Sequence, residues 1–546
     1  MKRLARSLPS CKQTVDPSTS LRSGRDDEGV YARLRRFGRD DKRCGRFGIS
    51  YFLFSAFLLL ALLAAVPTLA PAQQTQQAQP WTKIPIPTLP AFHPQQPRRI
   101  VLENGAILLL QEDHELPFIN GFIEMRGGGR DLPASKTGMV SLYGDVWRTS
   151  GTATISGDAM DDLLEAKAAK VETDGDVDST SVSWSCLKTD FNTVFGLATD
   201  LLLHPKFDPG KLDLAKQQIA TGIVRRNDDV GDIASREAAK LVYGPTNPYG
   251  RMPELAQVMS ITIADLEQFH TRTVIPNDMI IGVSGDFDAA AMEQQLRAAF
   301  GGLKKGTPLP PAKDSFNGPT PGVYSVDKND VDQSNIWIVG LGTERSNPDY
   351  YALSVMNQIF SGGFDSRLFQ NVRTRLGLAY SVGGAYGASY DHPGLFYTVA
   401  ATKSASTVDT TKAMLDQIDD LKTEPFTEDE LRRAKDELLN SFIFRYDTPD
   451  KVLTERATLE FYGYPADFLE KYRAAIEKVT TADLERVAKK YVDRSKLAVL
   501  VVGNVSQINT GTPGQPGKPL SELGTVHPID ITIPMPPGMQ GGPGSN

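Results

Sequence analysis

Leu484, Val487, Ala488 and Tyr491 recur at i, i+3, i+4 and i+7, the apolar stripe of a single helix face. Thr480 stands just before them with Asp483 three residues on, a capping-box pattern that predicts where the helix starts. A Gly-terminated apolar run, Leu497–Val502, then predicts a strand. The same grammar occurs earlier, with Thr262 and Asp265 as the cap and Met279–Val283 as the strand. Ala264/Ala482, Asp265/Asp483, Leu266/Leu484, Glu267/Glu485 and Gly285/Gly503 all sit at an offset of 218, and Ala215-Lys216 answers Ala434-Lys435 at 219. One offset linking caps, helix and strand marks an internal repeat. It predicts an α+β fold of two homologous domains, each about 200 residues with an antiparallel-rich sheet and helices packed on it.

The remaining patterns divide the chain. Ile49 to Val66 is eighteen residues without a charge, preceded by a basic stretch and followed by Ala70-Pro71-Ala72. That is the build of an export signal; an uncleaved membrane anchor is the competing reading. Either way the body is expected outside the cytoplasm, in the periplasm or cell envelope. The predicted organisation is an export signal with a long n-region over 1–72 and a Gln/Pro linker over 73–98. A first domain over 99–305, a Pro/Gly linker over 306–322 and a second domain over 323–505 follow. A Gly/Pro tail without regular structure is predicted over 506–546.

Charge and composition narrow the chemistry. Residues 1–48 hold 13 Lys/Arg against 6 Asp/Glu, which leaves −14 for the rest of a chain whose net charge is −7. That balance argues against nucleic acid as the main partner and favours basic peptides over acidic ones. Of three cysteines only Cys186 lies beyond the apolar segment, so neither a disulfide framework nor a Cys-rich zinc module is available. The six histidines, at 93, 114, 204, 270, 392 and 527, form no helical ligand pair. No H-E-x-x-H, H-x-x-E-H or G-x-S-x-G frame occurs, and Gly127-Gly128-Gly129 and Gly362-Gly363 read as turns rather than phosphate loops.

Two long runs carry a resemblance. Glu124 to Asp145, EMRGGGRDLPASKTGMVSLYGD, and Phe360 to Ser381, FSGGFDSRLFQNVRTRLGLAYS, resemble motifs of the pitrilysin/insulysin/mitochondrial-processing-peptidase family, whose build is also a duplicated α+β domain. The resemblance covers about Arg98 to Asn504. It implies a zinc peptidase site in which two histidines and a later glutamate hold the metal and the motif's own glutamate serves as base. Laid on Gly138, the histidine positions are Ser141 and Asp145, the base position is Gly144, and the third ligand falls at Gly222. This copy of the site is therefore read as dead, with no metal bound by the chain. The family's Arg and Tyr, seven residues apart in the second domain, match Arg373 and Tyr380 and imply a grip on the substrate backbone and a donor to the oxyanion. Arg367, in the same run, reads as structural.

The resemblance implies a non-catalytic subunit of an exported heteromeric zinc metallopeptidase. Such a subunit would bind an extended peptide as an added strand and present Arg373 and Tyr380 to the zinc of a homologous subunit bearing H-x-x-E-H. A stand-alone peptide-binding or structural scaffold is the alternative. An independently active peptidase, with a site assembled from other residues, is the third.

Overall fold

Two six-stranded sheets organise the molecule. The computed structural model describes residues 95–310 and 314–536, all within one compact unit. The apolar segment 49–66 and residues 73–94 of the Gln/Pro linker lie outside the described residues. Among those described, no helix is long and apolar enough to cross a membrane.

The first sheet comprises β1 (Arg98–Val101), β2 (Ile107–Glu112), β3 (Phe118–Arg126), β4 (Lys170–Gly175), β5 (Ser179–Leu187) and β6 (Met279–Gly285), in the order β1-β2-β6-β3-β5-β4. Only the β2–β6 pair is parallel. The second comprises β7 (Gly322–Asp327), β8 (Gln333–Leu341), β9 (Ser381–Tyr386), β10 (Leu395–Lys403), β11 (Ala498–Gly503) and β12 (Val526–Pro528), in the order β9-β10-β8-β11-β7-β12. Its β11–β7 and β7–β12 pairs are parallel. The repeat is thus a shared topology: β2, β3, β4, β5 and β6 correspond to β7, β8, β9, β10 and β11. Period-two patterning sets each register. In β5, Val182, Trp184 and Cys186 enter the core while Ser181, Ser183 and Ser185 face away.

Eight helices matter here: α1 (Met139–Ser150), α2 (Pro209–Val224), α3 (Val230–Tyr243) and α4 (Ile263–Thr273) in the first half, and α5 (Tyr350–Ser361), α6 (Glu428–Ile443), α7 (Pro449–Tyr462) and α8 (Thr481–Tyr491) in the second. Both predicted capping boxes form, at Thr262/Asp265 on α4 and Thr480/Asp483 on α8. The weak upstream match has a structural counterpart: Lys216 Nζ donates to Met259 O at 3.3 Å, and Lys435 Nζ donates to Glu477 O at 2.9 Å.

One feature was not legible in the sequence. The halves exchange helices, α3 of the first packing on β8 and β11 of the second, and α7 of the second on β2 and β6 of the first. Ile233, Ala234, Ala238 and Val242 of α3 meet Trp337, Val339, Leu500 and Val502. Leu453, Ala457 and Phe461 of α7 meet Leu109 and Ile280. Each sheet therefore buries part of its second face under a helix that belongs to its twin, which ties the halves by apolar burial.

The C-terminal segment corrects a sequence expectation. Residues 506–536 are not a structureless tail: β12 adds a strand beside β7, Ile529 N–H donates to Ser325 O, and Ile529 and Ile531 pack on the α3 cluster. Asn227 Nδ2 then donates to Ile531 O at 2.7 Å, and Ile533 packs on the core of the first half. A strand at a sheet edge tolerates Pro528, which is how Pro-rich sequence becomes ordered here. Residues 537–546 lie outside the described residues.

Candidate functional site

Ser141, Gly144 and Asp145 all lie on α1, and α1 packs against both α2, which carries Gly222, and the outer strand β4. The four positions therefore share two neighbouring helices, but their side chains do not form a metal site. Ser141 is exposed. The Asp145 carboxyl is held above its ordinary range, first by desolvation and then by the charge of Asp174. Gly144 sits where α1 crosses β4: a Cβ on it would come within 2.8 Å of Gly175 N and 3.1 Å of Asp174 C, both backbone atoms. Thr173 Oγ1 closes the contact by donating to Gly144 O at 2.6 Å. The base position thus lacks a carboxylate and also has no room for one. Gly222, by contrast, is open, with nothing within 4 Å of an added Cβ. It borders a cavity of about 510 Å³ whose wall includes Arg225, Arg226 and Arg236, each paired with a carboxylate, with Asp232 as the only acidic side chain of the lining. Among the described residues no group of three His, Cys, Asp or Glu could hold a metal ion. The donor set does not fit zinc.

The second motif is arranged differently. Its Arg367 is structural: Nε and Nη2 make a two-pronged pair with Glu430 at 2.7 and 2.9 Å, Nη2 also reaches Pro425 O, and the guanidinium lies over Phe426 at 4.7 Å. Burial pushes the Glu430 carboxyl up, yet the Arg367 bonds and the Thr427 cap outweigh it and hold the group down to about 2. This pair anchors the start of a π-helical segment, Phe369–Arg375, against α6. Single π turns are frequent at functional sites because they re-aim side chains. Here the segment points Arg373 outward while Val372 is fully buried. The Arg373 Cζ lies 4.8 Å from the Phe369 ring centroid and 5.7 Å from that of Tyr380. Tyr380, at the entrance to β9, is 67% exposed, and its N–H donates to Ala401 O. The structure therefore brings Arg373 and Tyr380 together at the surface.

Nearby, α5 closes part of the β9 edge. Ser361 Oγ donates to Gly384 O at 2.8 Å, and Asn357 Oδ1 accepts from Tyr386 N–H at 2.7 Å. The end of that edge at Ser381, beside Tyr380, keeps no such cap from α5.

Histidines that looked ordinary in the sequence have structural partners. His270, on α4, accepts or donates at 2.8 Å with Tyr143 OH among Trp147, Phe207 and Phe269, and burial pushes its pKa down to about 4. His114 pairs with Asp286 at 2.6 Å. His392 stacks on Tyr249 at 3.8 Å and meets Asp391 at 3.0 Å. That last contact belongs to a polar seam between the halves, which sequence reasoning missed because its members lie far apart along the chain. Arg130 donates to Asp178 and Asp391, while Tyr249 and Tyr462 both donate to Asp178. Burial raises the Asp391 carboxyl, but bonds from His392 and Arg130 bring it below its usual range.

Known proteins give the same family likeness. A family model described as the peptidase M16 inactive domain matches residues 260–438. Over that segment the chain is similar to the M16 peptidase family. An uncharacterized zinc protease of Streptomyces coelicolor is 26% identical to it over 56% of this chain and 68% of that protein. A protein of Helicobacter pylori named non-peptidase homolog YmxG is 22% identical over 73% of this chain and 91% of its own length. Among solved structures, the peptidase M16 inactive domain from Pseudomonas fluorescens superposes with a TM-score of 0.68 at 23% identity, covering 75% of this chain and 98% of that one. A protease from Helicobacter pylori gives 0.67 at 17%, covering 76% and 100%. These two share the fold. The chain thus resembles M16 peptidases, while its own residues at the zinc-motif positions offer no zinc donor set among the described residues.

Proposed function

We propose that this M16 homologue is the silent subunit of an exported heteromeric zinc metallopeptidase, binding peptide and supplying Arg373 and Tyr380 to the zinc site of an H-x-x-E-H-bearing partner. The observation that carries the reading is an asymmetry. The zinc helix has lost its donors and closed over the base position at Gly144, whereas Arg373 and Tyr380 stand together, outward and without a hydrogen-bond partner for either side chain among the described residues. A guanidinium fork suits a peptide carbonyl, and a phenol donates to a developing alkoxide. The Ser381 end of β9 offers an extended peptide a place to add as a strand within reach of both groups. Zinc in this account belongs to the partner, and this chain contributes binding and charge stabilisation only. The test is turnover of the reconstituted complex: Arg373→Ala or Tyr380→Phe lowers it roughly 10²-fold, the scale of one lost oxyanion donor, with the fold unchanged by circular dichroism. Full activity in both variants rejects the assignment.

A further inference from the structure

Arg373 differs from many of the protein's arginines in what surrounds it. Arg98, Arg130, Arg226, Arg236, Arg367 and Arg494, for example, each meet a carboxylate within 3.1 Å. Arg373 has no carboxylate partner among the described residues; its contacts are the rings of Phe369 and Tyr380. Cation–π contacts engage the faces of the planar guanidinium and leave its in-plane N–H donors unclaimed. The rings also fix the fork in place, so little side-chain freedom remains to be lost when an acceptor arrives. Arg375, two residues on, is exposed and likewise unpaired, which makes the local field positive in a body that is acidic as a whole. Apolar side chains are exposed on the same segment: Phe364, 74% exposed, meets Phe369 edge-on at 4.9 Å, and Leu376, next along the chain after Arg375, is exposed.

We infer that Arg373, set between Phe369 and Tyr380, is a carboxylate-anchoring subsite for peptides that carry an apolar residue next to an acidic group. This deepens the peptide-binding reading above and rests on it. It also reverses, at this site, the preference for basic peptides that net charge alone suggests. Two sources supply the same chemistry: the free C-terminal carboxylate of a peptide, or an Asp or Glu side chain within one. A free C-terminus would make the subsite an end-reader, whereas a side chain would make it a sequence-reader.

The experiment is fluorescence anisotropy with the full chain and a set of labelled decapeptides of one apolar sequence. The set varies the end, as free acid or amide, and one internal residue, as Glu or Gln. The peptide with the matching carboxylate binds at least about tenfold tighter than the neutral amide/Gln peptide, the scale of one charge-assisted fork at an exposed site. The advantage shrinks at high salt, disappears in Arg373→Ala and is reduced in Arg373→Lys. Which carboxylate gives it identifies the source. Equal affinity for all four peptides overturns the carboxylate inference and leaves peptide binding standing. A carboxylate advantage that survives Arg373→Ala also overturns it. Failure of every peptide to bind removes the peptide-binding reading and the inference with it. Arg373 is on the surface, so a thermal melt of the variant matching the parent completes the test.

Discussion

Arg367→Ala is the substitution whose consequence the structure specifies most fully. Glu430 is held at about 2 by Arg367 and by the Thr427 cap, against an ordinary value near 4.5. If most of that depression comes from the arginine, linkage at 1.36 kcal/mol per unit gives roughly 2–3 kcal/mol of stability, after allowing for partial solvent access of the carboxylate. The sign follows from the depressed value: this stability is fully present above about pH 4.5 and is lost as pH falls toward 2. Loss of the packing over Phe426 adds a part that does not titrate. Urea unfolding of parent and variant at pH 7, 5.5 and 3.5 separates the two. The gap between them stays constant from pH 7 to 5.5 and narrows by 3.5, where Glu430 in the variant is largely protonated. The Asp349 network with Arg486, Lys490 and Tyr491, also held at about 2, weakens equally in both proteins and cancels in the difference. A gap as wide at pH 3.5 as at pH 7 refutes the electrostatic account and assigns the whole effect to packing.

Other expectations concern the zinc helix, a buried histidine and the helix exchange. Gly144→Glu, which restores the family's base residue, forces α1 away from the β4 backbone and destabilises by about 1–3 kcal/mol; metal analysis of the purified variant shows no gain of zinc. His270, neutral when folded with a pKa of about 4, makes the protein lose on the order of 3 kcal/mol as pH falls from 6.5 to 4, because the unfolded chain takes up the proton first. Unfolding free energies at pH 7 and 5 show that acid limb flattened in His270→Gln. Leu453→Ala, in α7, costs about 2–5 kcal/mol, and hydrogen exchange finds the lost protection in β2 and β6 of the opposite half.

What the sequence showed and hid follows from the range of the interactions. The capping boxes at Thr262 and Thr480 were readable because each is a four-residue event. The absence of the family's His and Glu at Ser141, Gly144 and Asp145 was readable through the resemblance, because a missing donor needs no geometry. The closure over Gly144 was not, since it depends on Gly175 in a strand thirty-one residues away. The helix exchange was hidden for a different reason: α3 and α7 carry the same kind of apolar stripe whichever sheet receives it. The segment around Pro528 was misread because its composition suits an edge strand as well as a loop. Arg373 and Tyr380 were found through the family resemblance, whose Arg and Tyr stand seven residues apart, but the π-helical turn and the ring of Phe369 beside the guanidinium gave no periodic signal.

The central claim, a silent subunit that completes a partner's site, is tested most directly by zinc content and peptidase activity of the full chain, alone and mixed with an H-x-x-E-H-bearing homologue. The account predicts neither zinc nor cleavage alone, and in the mixture an activity that Arg373→Ala lowers. Stoichiometric zinc with chelator-sensitive cleavage by the single chain would contradict it.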